Sequence, residues 1–316
     1  MKDFSKGGAL ILLLLVALSV LGLVLPDFYL RVIIEIAILG LFAQSLNLIL
    51  GYGGLISFGH AAFYGFGAYT VAILLRDTGL SLIPAILTGA VLTGIFGLII
   101  GAICLRAAKL YFAILTLAIS QLLFVLVFQW YGFTGGDNGI HGVEVSAWMT
   151  DPLHYYYFAL AAVGLCFFLI RVFLNSPFGY TLRATRDNGE RAEFLGVDVW
   201  RQRLVTFVLA AAFAGFAGGL YVGYDHMAYP LLVNWSKSAE PLLMVVLGGI
   251  NSFWGPLVGA VFFVVMEMIM GKVTVYWLFI LGLAILILVM FFPKGVWGYV
   301  EDKLSPLMMK ARNNVN

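Results

Sequence analysis

Almost the whole chain is a succession of apolar runs. They fall near residues 8–25, 30–50, 55–75, 81–104, 110–131, 154–174, 204–223, 239–250, 254–270 and 275–292, with short connections between them. About 20 apolar residues cross a bilayer core about 30 Å thick as a helix, and in hydrocarbon a helix satisfies its own backbone hydrogen bonds. The pattern predicts an all-α polytopic membrane protein with about ten transmembrane or broken helices. Of 316 residues, 62% are hydrophobic and only 11% are charged, so no folded aqueous domain fits and a single transmembrane domain over 1–316 is expected. A net charge of +2 gives no reason to expect nucleic acid as a partner. Cys104 and Cys166 sit inside apolar runs and suggest neither a disulfide nor a metal site. Lys2 and Lys6 precede the first run in the manner of a signal peptide, but no small-x-small cleavage site follows, so it reads as a first span.

Charge sets the expected orientation. Basic residues gather at the N-terminus, at Arg106 and Lys109, through 171–203, and at Lys294, Lys303, Lys310 and Arg312. With ten crossings all four groups share one side, which the positive-inside rule makes cytoplasmic, both termini included. The connection 132–153 on the other side has no Lys or Arg and carries Asp137, Glu144 and Asp151.

Two segments do not suit a plain span. "GYGGLISFGHAAFYGFGAY", residues 51–69, holds six glycines and His60, and 239–250 is too short to cross. Either can be broken or re-entrant, and paired interruptions in two halves of a transporter often mark its central path. "GGLISF" in the first is echoed by "GGINSF" at 248–253. Gln44, Asn47 and Gly51 share a helical face just before the first interruption. Together with Gly53, Gly54, His60, Thr116, Gln121, Gly248 and Gly249, Gln44 and Asn47 are the candidate path residues. Polar groups at this depth either line a path or bond to neighbouring helices. For His60 a structural role, bonded inside a turn of the bundle, is the favoured reading, since no second ligand or paired carboxylate lies at metal-binding spacing. Glu35 and Glu267 fall near outer ends of spans and are expected to be solvated. "TGGDNGI" at 134–140 is ordinary turn chemistry. Small residues recur every fourth position at Ala211, Gly215, Gly219 and Gly223, and at Gly97/Gly101 and Gly255/Gly259, which predicts closely packed helices.

The longest basic connection, "RVFLNSPFGYTLRATRDNGERAEFLGVDVWRQR" from 171 to 203, has its own helix signals. Ser176 before Pro177 is a cap followed by the residue favoured at the first helical position. Asn188-Gly189 interrupts that helix, and a second short one ends at Gly196. Six arginines alone would suit a topology anchor at the membrane surface. Asp187, Glu190, Glu193 and Asp198 interleave with them, which suits a protein surface better and makes a soluble partner plausible.

From "SPFGYTLRATRDNGERAEFLGVDVWRQRLVTFVLAAAFAGFAGGLY" the chain resembles the permease subunits of branched-chain amino-acid ABC transporters, in particular the LivM-like subunit of the pair. The similarity extends to "NLILGYGGLISFGHAAFYGFGAY", "LYFAILTLAISQ", "TGGDNGI" and "MVVLGGINSFWGPLVGA", in the expected order. What the resemblance implies is an importer in the bacterial or archaeal cytoplasmic membrane. Its partners would be a second, homologous permease, two ATP-binding cassette subunits, a periplasmic or extracellular solute-binding protein, and membrane lipid. The loop at 175–203 would dock on the ATPase. Phe178, Leu182, Phe194 and Leu195 would be its apolar contacts, with Arg183, Arg186, Arg191 and Glu193 around them and Pro177 and Gly196 bounding the helices. ATP and Mg would be bound by the partner subunits, with no cofactor in this chain. In agreement, the chain has no G-x-x-x-x-G-K-[ST] phosphate loop. Urea or short-chain amides are alternative solutes. A different class, a self-sufficient secondary transporter or channel, would use His60 and Glu267 as proton carriers.

Overall fold

The computed structural model describes residues 22–272 and 295–299, with a few isolated positions between them. The expected spans at 8–25 and 275–292, and the basic tail, lie wholly or mostly outside the described residues. Ten labelled helices follow in order: α1 (Asp27–Asn47), α2 (His60–Thr78), α3 (Leu82–Cys104), α4 (Lys109–Gln129), α5 (Pro152–Leu174), α6 (Pro177–Asp187), α7 (Gly189–Phe194), α8 (Val199–Asp225), α9 (Trp235–Gly248) and α10 (Gly255–Met270). Among the described residues, five stretches are long and apolar enough to cross a membrane: Asp27–Tyr52, Leu82–Cys104, Leu110–Gln129, Pro152–Leu174 and Val199–Asp225. With several apolar helices of spanning length, the chain is an all-α polytopic membrane protein.

The glycine-rich region is broken, as the composition suggested. α1 runs on as a π-helical turn through Leu48–Tyr52, residues 53–59 are irregular, and α2 starts at His60. The short run near 239–250 becomes the 14-residue α9, which closes at Gly249 with φ +119°. A helix of that length spans about 21 Å, less than the hydrocarbon core.

α8 is the hub of the bundle, lying against α3, α2 and α1, and its small-residue stripe makes the contacts with α3 and α2. Gly215 abuts Thr93 of α3, Gly67 of α2 sits on the Gly215 backbone, and Gly97 of α3 meets Ala211. Gly219 faces Val71 and Ile86, while Gly223 faces Leu82 and Tyr155. Gly259 brings α10 onto the Met244 carbonyl of α9. A side chain at these positions would hold the backbones apart, so the spacing read from the sequence translates into helix contact. The largest fully buried side chains, Tyr64, Tyr156, Phe42, Phe63, Phe112, Phe207 and Phe263, fill the gaps between the helices.

Contacts between connections divide them into two ends. At one end Arg76 Nη2 donates to the Phe133 carbonyl at 3.2 Å, and Ile140–His141 pairs antiparallel with Met227–Ala228. The Asp137 carboxylate, bonded to Tyr131, holds that phenol above its ordinary pKa. At the opposite end lie the broken turn 48–59, the α6–α7 connection and the turn 249–254.

Candidate functional site

The second end is the candidate site, because there the basic connection and both glycine-broken turns meet. α6 begins as its sequence signals require. The Ser176 hydroxyl accepts from the Gly179 amide at 3.3 Å, with Pro177 in the first turn. Asn188 ends α6 and caps α7 by accepting from the Arg191 amide at 2.9 Å. Gly196 reverses the chain with φ +85°, and Asp198 caps α8 by accepting from the Arg201 amide at 2.9 Å.

This double helix has an inner and an outer side, set by its amphipathic pattern. Leu182 is 0% exposed and Ala192 is buried; these residues seat α6 and α7 on the bundle. Arg183 donates to the Leu174 carbonyl at 3.2 Å, and its guanidinium lies 5.2 Å from the Tyr52 ring and 5.4 Å from that of Tyr180. Such stacking suits the planar, weakly hydrated arginine head. Phe178 packs on Phe173 with ring centroids 5.2 Å apart. Facing away are Phe194, 91% exposed, and Leu195, 80% exposed, with Arg191, Glu193 and Gly196 exposed beside them. Of the residues grouped from the sequence as a docking set, the structure therefore brings Phe194, Leu195, Arg191 and Glu193 to one open tip and turns Leu182, Arg183 and Arg186 toward the membrane domain.

Arg186 reaches furthest inward. Its Nη1 donates to the Gly51 carbonyl at 2.5 Å and to Asn251 Oδ1 at 3.1 Å, while Nε pairs with Asp187 at 3.1 Å. The two broken turns also touch each other directly. Asn47 Nδ2 donates to the Ser252 carbonyl at 3.2 Å, and Gly51 lies against the Ile250 carbonyl. Both halves of the echoed motif use a left-handed glycine, Gly54 at φ +68° and Gly249 at φ +119°, conformations that favour glycine. Gly248 packs on Gly255, and the Ser252 hydroxyl accepts from the Gly255 amide at 2.7 Å to start α10.

The remaining polar candidates lie just above the turns. His60 is 0% exposed, and its Nε2 lies 2.8 Å from Ser45 Oγ. Since the single Ser45 hydroxyl hydrogen goes to the Phe42 carbonyl at 2.6 Å, the histidine must donate from Nε2. Its ring stacks on Phe42 at 5.6 Å. Thus His60 joins the start of α2 to α1. Gln44 and Asn47 are 0% exposed. Thr116 is buried and donates to the Ala113 carbonyl at 2.9 Å, with the Gly59 backbone pressed onto its own carbonyl. Gln121 is half-buried on α4. Gly53 and Gly54 belong to the turn, not to a helix. Sequence reasoning passed over Asn251, Ser45, Ser238 and Tyr52; for Asn251 the signal was present, as the one polar addition in "GGINSF".

Comparison with known proteins gives a consistent result. The family described as "Branched-chain amino acid transport system / permease component" matches residues 28–290. The high-affinity branched-chain amino acid transport system permease protein LivM of Escherichia coli is 31% identical, over 93% of this chain and 76% of its own length. The probable branched-chain amino acid transport permease protein LivM of Methanocaldococcus jannaschii is 27% identical, over 72% of this chain and 76% of its own. The permease protein LivH of the Escherichia coli system is 24% identical, over 83% of this chain and 91% of its own. No solved structure matches the chain.

Proposed function

Because the chain belongs to the branched-chain amino-acid transport permease family, we propose that it is the LivM-like membrane subunit of an ATP-driven importer for branched-chain or related hydrophobic amino acids. It pairs in the bacterial or archaeal cytoplasmic membrane with a second, homologous permease; the similarity to both LivM and LivH supports that arrangement. Two ATPase subunits bind ATP and Mg on the cytoplasmic side, and a solute-binding protein delivers solute outside. This chain carries no covalent chemistry; its work is gating. Residues 1–316 form one permease domain with about ten transmembrane or broken helices and cytoplasmic termini, and 175–203 is the coupling loop.

The observation that carries this reading is the two-sidedness of that loop. A strongly exposed apolar pair at the tip of a charged cytoplasmic connection, Phe194 and Leu195, is poorly placed in water and well suited to a pocket on a protein partner. Its other side is bonded to the two turns that interrupt the bundle. Force applied at the tip therefore reaches Gly51 and Asn251. Gln44, Asn47, Gly53, Gly54, His60, Thr116, Gln121, Gly248 and Gly249 border the region those turns enclose, and solute passes there when helices tilt between outward-open and inward-open states.

The test uses the complex purified through a tag on this chain and reconstituted with its binding protein. Phe194→Asp combined with Leu195→Asp should lower leucine-stimulated ATP hydrolysis at least about tenfold, the loss typical of a central interface contact, while membrane insertion persists. Unchanged coupling would refute the docking role. Leucine transport by the isolated chain in liposomes without ATP would instead establish a secondary transporter, and selective urea uptake would change the solute.

A further inference from the structure

Resting on that reading, we infer that Arg186 is a positioning residue that ties both glycine-broken turns to the coupling helix, so that the loop and the two turns move as one body. Three facts carry this. First, one nitrogen, Nη1, holds a backbone carbonyl of the first turn, Gly51, and the side chain of the second, Asn251. These acceptors are 200 residues apart in the chain, and the donor sits on a third element. Second, the arginine is fitted rather than draped. Its stem lies over Gly54, where a Cβ would come within 2.6 Å of Arg186 Cγ, and its side chain is 32% exposed. Nε is steadied by Asp187 at 3.1 Å. Third, the end of α1 and the first turn are already joined to the second turn beneath it, by Asn47 Nδ2 to the Ser252 carbonyl and by Gly51 on the Ile250 carbonyl. A force on α6 consequently meets both turns together, not one turn sliding on the other.

Arg183 and Arg191 are placed differently. Arg183 holds its own α5–α6 corner at Leu174 and stacks on tyrosines, and Arg191 is exposed. Arg186 donates hydrogen bonds to both turns. A guanidinium suits the task, because its planar group of N–H donors holds separate acceptors at set angles. Asn251 accepts at its amide oxygen, so an apolar replacement would remove one arm and leave the other.

Two measurements test the tie, and only the second depends on the proposed transport function. In the purified complex in nanodiscs, Arg186→Gln should speed amide exchange of residues 51–55 and 249–253 together, roughly tenfold. Faster exchange in only one turn, or confined to α6, would overturn the joint tie. In reconstituted complex, leucine imported per ATP hydrolysed should fall at least about tenfold in Arg186→Gln, with partial recovery in Arg186→Lys. Arg186→Gln and Asn251→Ala should combine less than additively. To separate transmission from mere folding, cysteines at 186 and 251 are joined by a short methanethiosulfonate cross-linker; native Cys104 and Cys166 are buried. Cross-linking should restore the import-to-ATP ratio that the unlinked cysteine pair loses. Absence of recovery in a complex that still assembles would overturn transmission through this contact, as would an unchanged ratio in Arg186→Gln. If wild-type complex imports no leucine while the exchange result holds, the transport reading fails and the tie between the turns stands.

Discussion

Gly54 shows how little room the junction leaves. Its φ of +68° costs an L-residue about 1 kcal/mol, and any side chain there also collides with the Arg186 stem. Gly54→Ala should therefore destabilise the purified chain by about 1 kcal/mol or slightly more and, by displacing the guanidinium, reproduce the faster exchange of Arg186→Gln in both turns. A thermal melt in detergent followed by exchange measures both; a lower melting point without the exchange change would separate strain from the arginine contact. His60 makes a simpler case. It spends Nε2–H on Ser45, whose own hydrogen is committed to Phe42, so the bond has a fixed direction. His60→Gln, which keeps a donor, should melt above His60→Leu, which removes the donor to a buried oxygen at a cost of about 1 kcal/mol. Equal melting points would show that ring packing on Phe42, not the hydrogen bond, holds α2 to α1.

α2 obtains its N-terminal partner from elsewhere in the chain. Gly59 precedes it and offers no side-chain oxygen, and the Ala61 amide instead donates to the Ser238 hydroxyl of α9 at 2.9 Å. Loss of a capping oxygen costs about 1 kcal/mol, so Ser238→Ala should fray the first turn of α2, read as faster exchange at Ala61 while the α8 amides are unmoved. This arrangement marks the limit of what the sequence discloses. Helix ends set by local chemistry were legible: Ser176-Pro177, Asn188-Gly189 and Gly196 bound α6 and α7 where turn and capping preferences put them, and four-residue spacing of small residues located the α8 contacts. The two interruptions were legible as well, since left-handed glycines leave a compositional trace. The inward turn of Arg186 was not. Arg183, Arg186 and Arg191 look alike in sequence, and the Gly51 carbonyl that selects Arg186 is a backbone group with no side-chain signature. A cap donated across 177 residues escapes local reasoning for the same reason.

Sidedness follows from these contacts without reference to a membrane. α1 ends at the Arg186 junction, α2 leads away to Arg76 beside Phe133, α3 returns, and α4 goes out to the 130–151 connection. α5 comes back to α6, α8 leaves for the strand pairing at Met227–Ala228, α9 returns to Asn251, and α10 departs again. Among the described residues, α1–α5 and α8–α10 alternate in direction, which makes the short α9 and α10 part of the same up-and-down series as the long spans. Among the helices between Asn138 and Phe194, α5 is the one long and apolar enough to span, so a crossing α5 puts those two positions in opposite compartments. By the positive-inside rule, the arginines around Phe194 and the acidic, Lys- and Arg-free 132–153 connection predict Phe194 in the cytoplasm. Cysteines introduced as Asn138→Cys and Phe194→Cys, both exposed positions, decide it. A membrane-impermeant maleimide added to intact cells should label the first and spare the second, and permeabilised cells should show both labelled. The reverse pattern would invert the whole chain and move the coupling loop to the outer face, away from ATP. Labelling of both in intact cells would mean that α5 does not cross, and the alternating series would fail at that helix.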